Sequence, residues 1–458
     1  MGSLSPSETA CVPRALQPCH YKTIARIWQR RKTAQTGLCY YPHTRKDEGP
    51  QNAVNSHQQH VLSLLQDQPT AKAAARLAGL DEADWREVIS AAEALGVAPL
   101  LERSVDRLRL SVPRVIRARM REILQTHTAR NLRLLREFSI LAKALQGHGV
   151  DFMPVKGVHL CTSLYENIGE RPIWDMDVLV QLGDIRNALD VVEATGYRAS
   201  RPFDLDLEVR NYHHVPAYVK RNAPPLEIHW TLLNPRFQNG LNWQELWERS
   251  VPARVGEADV RVLSPGDLLI YLCAHVAYQH IYIDSVRSLY DIKLLIRREA
   301  AQMDWGAITA RARTWALANS VYLTLRLTDD LLGCPLPEGV WQGLRPAEFN
   351  ERLMEAALTR IMDHSESSPV VSAVWSRRSL PRRIQGLWGR VMVPPSVLAG
   401  RYRLPPKSRR VYLYYFARAW DLLSVHGRDL FDLLFGRRSK RELALRESEL
   451  IAYLRWWQ

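Results

Sequence analysis

The sequence predicts an α+β protein in which a small mixed β-sheet core is embedded in mostly helical N- and C-terminal regions. Two observations lead to this class. Apolar residues recur at spacings of three and four on both sides of a central segment, as they do in amphipathic helices. Inside that segment the pattern changes to strand, helix, strand, helix, strand and strand, which favours helices packed on a sheet.

The N-terminal part divides into two segments. Residues 1–56 mix Pro, Gln, Ser and basic residues without periodicity, and we expect a disordered basic segment there. Residues 57–150 are predicted to be helical, with Gly147 and Gly149 ending the last helix. The apolar stripe of that helix is expected to consist of Leu132, Leu134, Leu135, Phe138, Leu141 and Leu145.

Residues 151–260 are predicted to form the sheet core. Strands are expected at Phe152–Val155, Trp174–Val180, His214–Val219 and Leu226–Trp230. Helices are expected at Gly157–Tyr165 and Asp184–Ala194, with Asp184 as a candidate cap.

Residues 261–345 are predicted to be a helical region that packs on the core. Its helices are expected at Leu268–Tyr278, at Val286–Arg298 and, as one or two more, between Trp305 and Leu332. Arg287 and Asp291 lie four residues apart on the second of them, which predicts an ion pair along that helix.

The net charge of +14 is concentrated at the two ends of the chain. Residues 371–458 hold 18 Lys and Arg against 6 Asp and Glu, and residues 1–56 hold 8 against 3. Residues 346–458 are predicted to form a basic helical extension with an apolar helix at Val411–Phe435. A solvated surface is the simplest interpretation of the charge, and contact with a polyanion through the C-terminal region is the alternative.

The cysteines are scattered and include no C-x-x-C pair, which argues against a zinc site or a disulfide scaffold and predicts a cytoplasmic protein. They are Cys11, Cys19, Cys39, Cys161, Cys273 and Cys334. No apolar run is long enough for a membrane span, and no signal peptide opens the chain.

Asp175 and Asp177 are the most informative residues, because they lie on a predicted strand, where Asp is disfavoured. Side chains alternate along a strand, so the two carboxylates are expected on one face. Neighbouring carboxylates repel each other unless a cation lies between them. The pair therefore predicts a site for Mg²⁺, which prefers oxygen ligands and often keeps phosphates as further ligands.

Four other residues suit phosphate chemistry. Gly157 follows a strand and opens a helix, where a backbone without Cβ lets N–H groups approach an anion. Lys156 adds a point charge, and Arg171 a bidentate fork for phosphate oxygens. Glu227, on another predicted strand, is a candidate third carboxylate that ligates metal or accepts a proton. Each residue alone has a structural interpretation, and only their order favours a joint site.

The histidines give weaker signals. His229 follows the third carboxylate by two residues and is expected on the same strand face, either orienting a substrate or packing as a hydrogen-bonded residue. His213 and His214 have no third ligand at suitable spacing, so a metal role is disfavoured. His275 and His280 lack the H-E-x-x-H spacing, which excludes a zinc protease of that type. P-loop, Rossmann and nucleophile-elbow motifs do not occur.

Taken together, these residues resemble the uncharacterised nucleotidyltransferase family of the DNA polymerase beta superfamily, whose relatives include an abortive-infection toxin and aminoglycoside nucleotidyltransferases. The resemblance covers roughly residues 57–435. Its main stretches are Pro154–Leu160, Arg171–Pro172, Asp175–Val180, Leu226–Trp230, Val262–Leu269 and Arg287–Asp291. The chain has Lys156-Gly157 where better-known members show Gly-Ser or Gly-Gly, so Lys156 or the backbone must replace the missing hydroxyl donor.

The resemblance implies a nucleotidyltransferase core with Asp175, Asp177 and Glu227 as catalytic metal ligands and Lys156, Gly157 and Arg171 as phosphate contacts. The implied reaction depends on Mg²⁺, or on Mn²⁺ in its place, and moves a nucleoside monophosphate from an NTP, with ATP expected, to an acceptor hydroxyl. The acceptor stays open between a small molecule, a peptide, a protein and tRNA. The alternative is a nucleic-acid- or membrane-associated binding protein with a degenerate, non-catalytic core.

Overall fold

The structure is a computed structural model of the chain. It describes residues 55–362, with short gaps at 235–236, 238–239, 242, 284 and 347–348, together with parts of 388–435 and 449–454. The predicted disordered segment and most of the predicted basic extension therefore lie outside the described residues.

The described part of the chain begins with five helices, which lie in the region predicted to be helical, residues 57–150. They are α1 (Ser56–Leu65), α2 (Ala71–Ala78), α3 (Glu82–Ala94), α4 (Leu101–Arg107) and α5 (Arg114–Gly147). Asn55 and Asp81 cap α1 and α3 with their side chains, and α5 ends at Gly147, before Gly149 takes a left-handed φ of 68°. One member of the predicted stripe is wrong, because Leu132 is 56% exposed while the others are buried.

The centre of the molecule is a mixed five-stranded sheet, which confirms the predicted fold class. Its strands are β1 (Phe152–Val155), β2 (Met176–Val180), β3 (Arg198–Ala199), β4 (Tyr218–Val219) and β5 (Leu226–His229), in the order β1-β2-β5-β4-β3. Strands β2 and β5 are parallel, and the other neighbours are antiparallel. The connecting helices are α6 (Gly157–Ser163), α7 (Ile185–Ala194) and α8 (Leu205–Asn211).

The register of β2 against β5 decides which side chains share a face. Asp177 pairs with Glu227, and Leu179 pairs with His229. Met176, Val178 and Val180 of β2 pack in one apolar cluster with α5 and α7. Leu179 packs in a second cluster with the helices that follow the sheet. Because strand side chains alternate, Asp177, Glu227 and His229 are directed to the side of those later helices.

Within the described residues, a hairpin and eight further helices follow the sheet. Helix α9 (Trp243–Arg249) leads into strands β6 (Val251–Val255) and β7 (Ala258–Val262). The helices that follow are α10 (Pro265–Tyr278), α11 (Val286–Glu299), α12 (Trp305–Thr314), α13 (Ala318–Leu332), α14 (Glu338–Leu344), α15 (Glu351–Met362) and α16 (Tyr414–Phe435). Almost every residue of α10 is buried, so this helix forms the centre of the helical side. Among the described helices, none combines the length and apolar character needed to span a bilayer.

Several element boundaries differ from the sequence predictions. Strand β2 begins at Met176, so Asp175 precedes the strand rather than lying on it. Strand β4 spans only Tyr218–Val219, and His214 makes an isolated bridge to His229. Asp184 makes no side-chain cap bond to α7. Helix α8 and the β6–β7 hairpin had not been predicted.

Candidate active site

Three side chains from β2 and β5 form an acidic centre. Ligand atoms of Asp177, Glu227 and His229 all lie within 4.8 Å of one another, and within the described residues this is the group suited to hold a metal ion. Asp177 and His229 are 3% and 1% exposed, whereas Glu227 is only partly buried. The predicted same-face arrangement of Glu227 and His229 is confirmed, since both belong to β5 two residues apart.

One oxygen of Asp177 has two cationic or potentially cationic partners. Its Oδ1 lies 2.9 Å from Lys156 Nζ and 3.0 Å from His229 Nε2. Burial raises the pKa of the Asp177 carboxyl, but Lys156 and His229 outweigh that effect and hold this pKa below its ordinary value. Asp177 is therefore ionised at neutral pH. Burial lowers the pKa of Lys156, yet the carboxylates led by Asp177 outweigh it, and the ammonium stays charged.

Lys156 sits in a strained turn between β1 and α6. Its φ of 60° and ψ of −126° are seldom adopted by a residue with a Cβ. The turn directs the side chain to Asp177, and Nζ also lies 3.2 Å from Nε2 of His275 on α10. Burial and then the neighbouring ammonium lower the pKa of His275 far below its ordinary value, so its neutral ring accepts a hydrogen bond from Lys156.

Gly157 follows at a position where no side chain fits. A Cβ there would lie 2.9 Å from Ile173 Cγ2 and 3.1 Å from Arg171 Nη1. Contacts of this length to carbon are shorter than packed atoms tolerate, so glycine is required for the close approach of the turn to the segment before β2. This accounts for the Lys-Gly sequence independently of any ligand.

Asp175 lies beside the acidic centre without a partner. Within the described part of the chain its carboxylate makes no hydrogen bond or ion pair, although it interacts electrostatically with Asp177, Glu227 and Arg287. Burial and the neighbouring Asp177 charge raise its pKa to about 6 from an ordinary value of 3.8. At neutral pH most of this carboxyl group is therefore ionised, close to the charges of Lys156, Arg287 and Arg130 but without a direct ion pair among the described residues.

We expect the Asp175→Asn variant of the metal-free protein to be more stable than the wild type at pH 8, by about 1–2 kcal/mol. Folding raises the pKa of Asp175, so the ionised carboxylate destabilises the folded state above about pH 6. As the pH falls below 6 the wild type gains stability by protonation, and the difference between the proteins should shrink. Denaturant titrations in EDTA at pH 8 and pH 5 measure this. Asp151→Asn, at an exposed position, is the control, and a destabilised Asp175→Asn protein would contradict the expectation.

Arg171 is buried in an ion pair rather than open to the acidic centre. Its Nε and Nη2 each donate to a carboxylate oxygen of Asp291 at 2.8 Å, and Tyr165 donates to the same carboxylate at 2.7 Å. The predicted Arg287–Asp291 helix pair is therefore wrong, because Asp291 takes the bidentate fork of Arg171 instead. Arg171 Nη1 remains beside Gly157, which keeps its predicted phosphate contact open.

Two arginines near Asp175 had not been named as site residues. The guanidinium of Arg130, on α5, stacks 3.8 Å over the Trp174 ring and interacts electrostatically with Asp175. Arg287, on α11, donates from Nη1 to the Pro172 carbonyl at 3.0 Å, while its buried Nε has no hydrogen-bond partner within the described residues. Arg287 lies in the stretch Arg287–Asp291, which resembles the nucleotidyltransferase family, and this resemblance could have identified it as a site residue. Arg130 carries no such signal, because it lies on a long polar helix.

Several histidine rings line the other side of the centre. The His213 and His214 ring centroids are 5.4 Å and 5.0 Å from that of His229, and His275 lies 4.8 Å from His280. Burial and mutual repulsion lower the pKa of His213 and His214, so both rings are neutral at pH 7. Neither belongs to the metal-suited group of the described residues. The rings of His213, His214 and His275 therefore form a packed, neutral wall beside His229.

A parallel strand pair with facing carboxylates, beside a strand–turn–helix unit with Lys-Gly, is the arrangement that the sequence resemblance implies for a nucleotidyltransferase core. In agreement with that class, the family model described as uncharacterised nucleotidyltransferase matches residues 81–333, more than half of the chain. The chain belongs to this family. No curated protein and no solved structure matches it.

Proposed function

We propose that the protein is a Mg²⁺-dependent enzyme that transfers a nucleoside monophosphate from an NTP, with ATP favoured, to an acceptor hydroxyl. The observation that carries the proposal is the group formed by Asp177, Glu227 and His229 on one side of the sheet, with the Asp175 carboxylate in electrostatic contact with it. Asp177 and Glu227 face each other across parallel strands, and unpaired Asp175 lies beside them. The family assignment independently supports nucleotidyl transfer.

The donor set fits a hard divalent cation. Mg²⁺ binds carboxylate oxygens, and a bound cation would relieve the burial and the Asp177 charge that disfavour the ionised form of Asp175. Asp175, Asp177 and Glu227 would hold the ion, and Mn²⁺, which also prefers carboxylate ligands, would serve in its place. When bound, the ion would neutralise part of the negative charge of the triphosphate.

The phosphates would be held on the side of Asp175. The Lys156-Gly157 turn offers backbone N–H groups that no Cβ at Gly157 obstructs. Arg287 and Arg130 contribute positive charge next to Asp175, and neither makes an ion pair within the described residues. Arg171 would contribute through Nη1, since its other two nitrogens are bound to Asp291.

In the proposed reaction the acceptor oxygen attacks the α-phosphorus and a new P–O bond forms. The bond from the α-phosphorus to the bridging oxygen breaks, and pyrophosphate leaves with its electron pair. Glu227 accepts the proton of the acceptor hydroxyl. Burial raises the pKa of its carboxyl, but the hydrogen bond from His229 outweighs burial and holds this pKa below its ordinary value. The carboxyl is therefore ionised, and it is only partly buried. His229 positions both Asp177 and Glu227, at 3.0 Å and 3.6 Å.

The test is to incubate the protein with each NTP, labelled in separate reactions at the α- or γ-phosphate, together with Mg²⁺ and a cell extract. We expect label from the α-position alone to appear on an acceptor, which mass spectrometry then identifies, and EDTA to prevent it. Transfer of γ-label alone, or no transfer from any NTP, would overturn the proposal. Salt-sensitive binding of polyanions without transfer would favour a non-catalytic binding protein instead.

A further inference from the structure

Helix α16 carries a row of large apolar side chains that are open to solvent. Leu413, directly before the helix, is followed on it by Phe416, Trp420 and Leu423, at spacings of three, four and three residues. These spacings place the four side chains on one side of a helix, which we call the apolar face. Their exposed fractions lie between 57% and 79%. A single exposed apolar residue is ordinary, but a contiguous row of large ones marks an interaction surface.

The other side of α16 already packs against residues of its own chain. Tyr415 Oη donates a hydrogen bond to the Val393 carbonyl, and Tyr402 Oη donates to Asp421 Oδ2 at 2.8 Å. The Tyr402 ring also lies against that of Tyr414, with the two centroids 4.7 Å apart. The helix therefore offers a partner one side only. A flat surface fits that geometry, whereas a groove that encloses a helix does not.

Basic residues lie on both sides of α16 in the sequence. Residues 401–410 hold five Lys and Arg and no Asp or Glu, and residues 436–441 hold four and none. Of the first run, Arg409 and Arg410 begin the short 3-10 turn before α16, and both are exposed. An apolar helix face between two basic runs complements a surface that is negatively charged outside and apolar beneath.

An anionic lipid bilayer combines these two properties, and other acidic partners do not. A single-stranded nucleic acid would stack its bases on aromatic rings, but it has no apolar interior for Leu413 and Leu423. An acidic protein that binds an amphipathic helix holds it in a groove, which the packed side of α16 prevents. In a lipid interface, leucine and phenylalanine side chains enter the acyl boundary, and tryptophan is favoured at the level of the headgroups.

We propose that the apolar face of α16, together with the basic residues at its two ends, docks the protein on an anionic lipid bilayer. The helix lies along the surface, with Phe416 and Trp420 inserted between headgroups and with Arg409 and Arg410 close to lipid phosphates. The inference goes beyond the proposed nucleotidyl transfer and is independent of it, because it uses no residue of the acidic centre.

Flotation of the full-length protein with lipid vesicles tests the proposal. Vesicles of phosphatidylcholine mixed with phosphatidylserine are compared with vesicles of phosphatidylcholine alone. We expect the wild type to bind the mixed vesicles at least about tenfold more tightly than the neutral ones, and to be released from them by salt.

Two double variants of the docking surface should weaken this binding. Phe416→Gln with Trp420→Gln is expected to lower the affinity for the mixed vesicles by at least about tenfold, because two large apolar side chains no longer leave water. Arg409→Gln with Arg410→Gln is expected to lower it by roughly tenfold through the loss of two positive charges. All four positions are exposed, so circular dichroism should show both variants folded.

Helix α5 provides a matched control for each double variant. Leu132→Gln with Ile140→Gln removes two exposed apolar side chains, and Arg133→Gln with Arg136→Gln removes two exposed charges. Both controls should bind the mixed vesicles as the wild type does. Controls that lose as much affinity as the α16 variants would overturn the assignment of the surface to α16.

Three further results would also overturn the proposal. The first is a wild-type protein that does not bind the mixed vesicles, or an apolar-face variant that binds them equally well. The second is a wild-type dimer, seen by light scattering, that Phe416→Gln with Trp420→Gln converts to a monomer without any vesicle binding, which would assign the face to a second copy of the chain. The third is binding of single-stranded RNA, but not of vesicles, that the same variant abolishes. The nucleotidyl transfer assay contains no vesicles, so its outcome is decided separately.

Discussion

Asp177→Asn is expected to lower the rate of nucleotidyl transfer by at least about 10³-fold, because a lost metal ligand removes several kcal/mol of charge stabilisation from the transition state. Asp177 is the residue at which β2, β5 and the Lys156 turn meet, and no other described carboxylate is bound by both Lys156 and His229. The amide keeps the shape of the side chain but loses the charge that holds both partners. Initial rates with α-labelled NTP and the identified acceptor measure the effect.

The same substitution leaves the Lys156 ammonium without its nearest carboxylate, so some loss of stability is also expected. Rates should therefore be compared at a temperature where circular dichroism shows both proteins folded. Asp151→Asn, an exposed substitution directly before β1, is the control and should transfer at the wild-type rate. An Asp177→Asn protein that is folded and transfers label as fast as the wild type would remove Asp177 from the proposed catalytic centre.

Arg171→Met is expected to destabilise the protein by about 3–5 kcal/mol, because it leaves the buried carboxylate of Asp291 without its bidentate partner. Both side chains of this pair are almost inaccessible to solvent, so water cannot replace the lost contact. For a protein of this size the unfolding temperature should fall by roughly 3–5 °C. Differential scanning calorimetry measures the shift.

The double variant Arg171→Met with Asp291→Leu separates the structural role of Arg171 from a phosphate contact. It removes both buried charges, so we expect it to regain most of the stability that the single variant loses. If Arg171 Nη1 binds phosphate, the folded double variant should still show a raised KM for the NTP. A KM equal to that of the wild type would make Arg171 purely structural. A single variant as stable as the wild type would contradict the importance of the pair.

Much of the sheet core could be predicted from local sequence patterns. Strand β1 and the start of α6 agree with their predicted positions, because an apolar run followed by Lys-Gly indicates a strand that turns into a helix. The β6–β7 hairpin was missed although its signal is visible. Val251, Ala253 and Val255 alternate with Pro252 and Arg254, and the two-residue turn Gly256-Glu257 follows them.

The partners of the charged residues could not be predicted in the same way. Asp291 was assigned to Arg287 because helix neighbours four apart often pair, yet it binds Arg171, 120 residues earlier in the chain. Likewise, His229 could be placed on the same face as Glu227 but not in contact with Asp177, since the adjacency of β2 and β5 spans two intervening strands. Burial decides such pairs, because an ionised group inside the protein must find an opposite charge from whatever element packs nearby.

The chain alone determined the α+β class, the Lys156-Gly157 turn and the set of carboxylates, because these depend on periodicity and on residue types close together in sequence. Only the tertiary structure decided that Asp175 has no ion-pair partner among the described residues, that Lys156 and His229 converge on Asp177 and that Arg171 is bound to Asp291. The reason is electrostatic. The interaction between two charges depends on their separation and burial in space, which sheet order and helix packing set and local sequence does not.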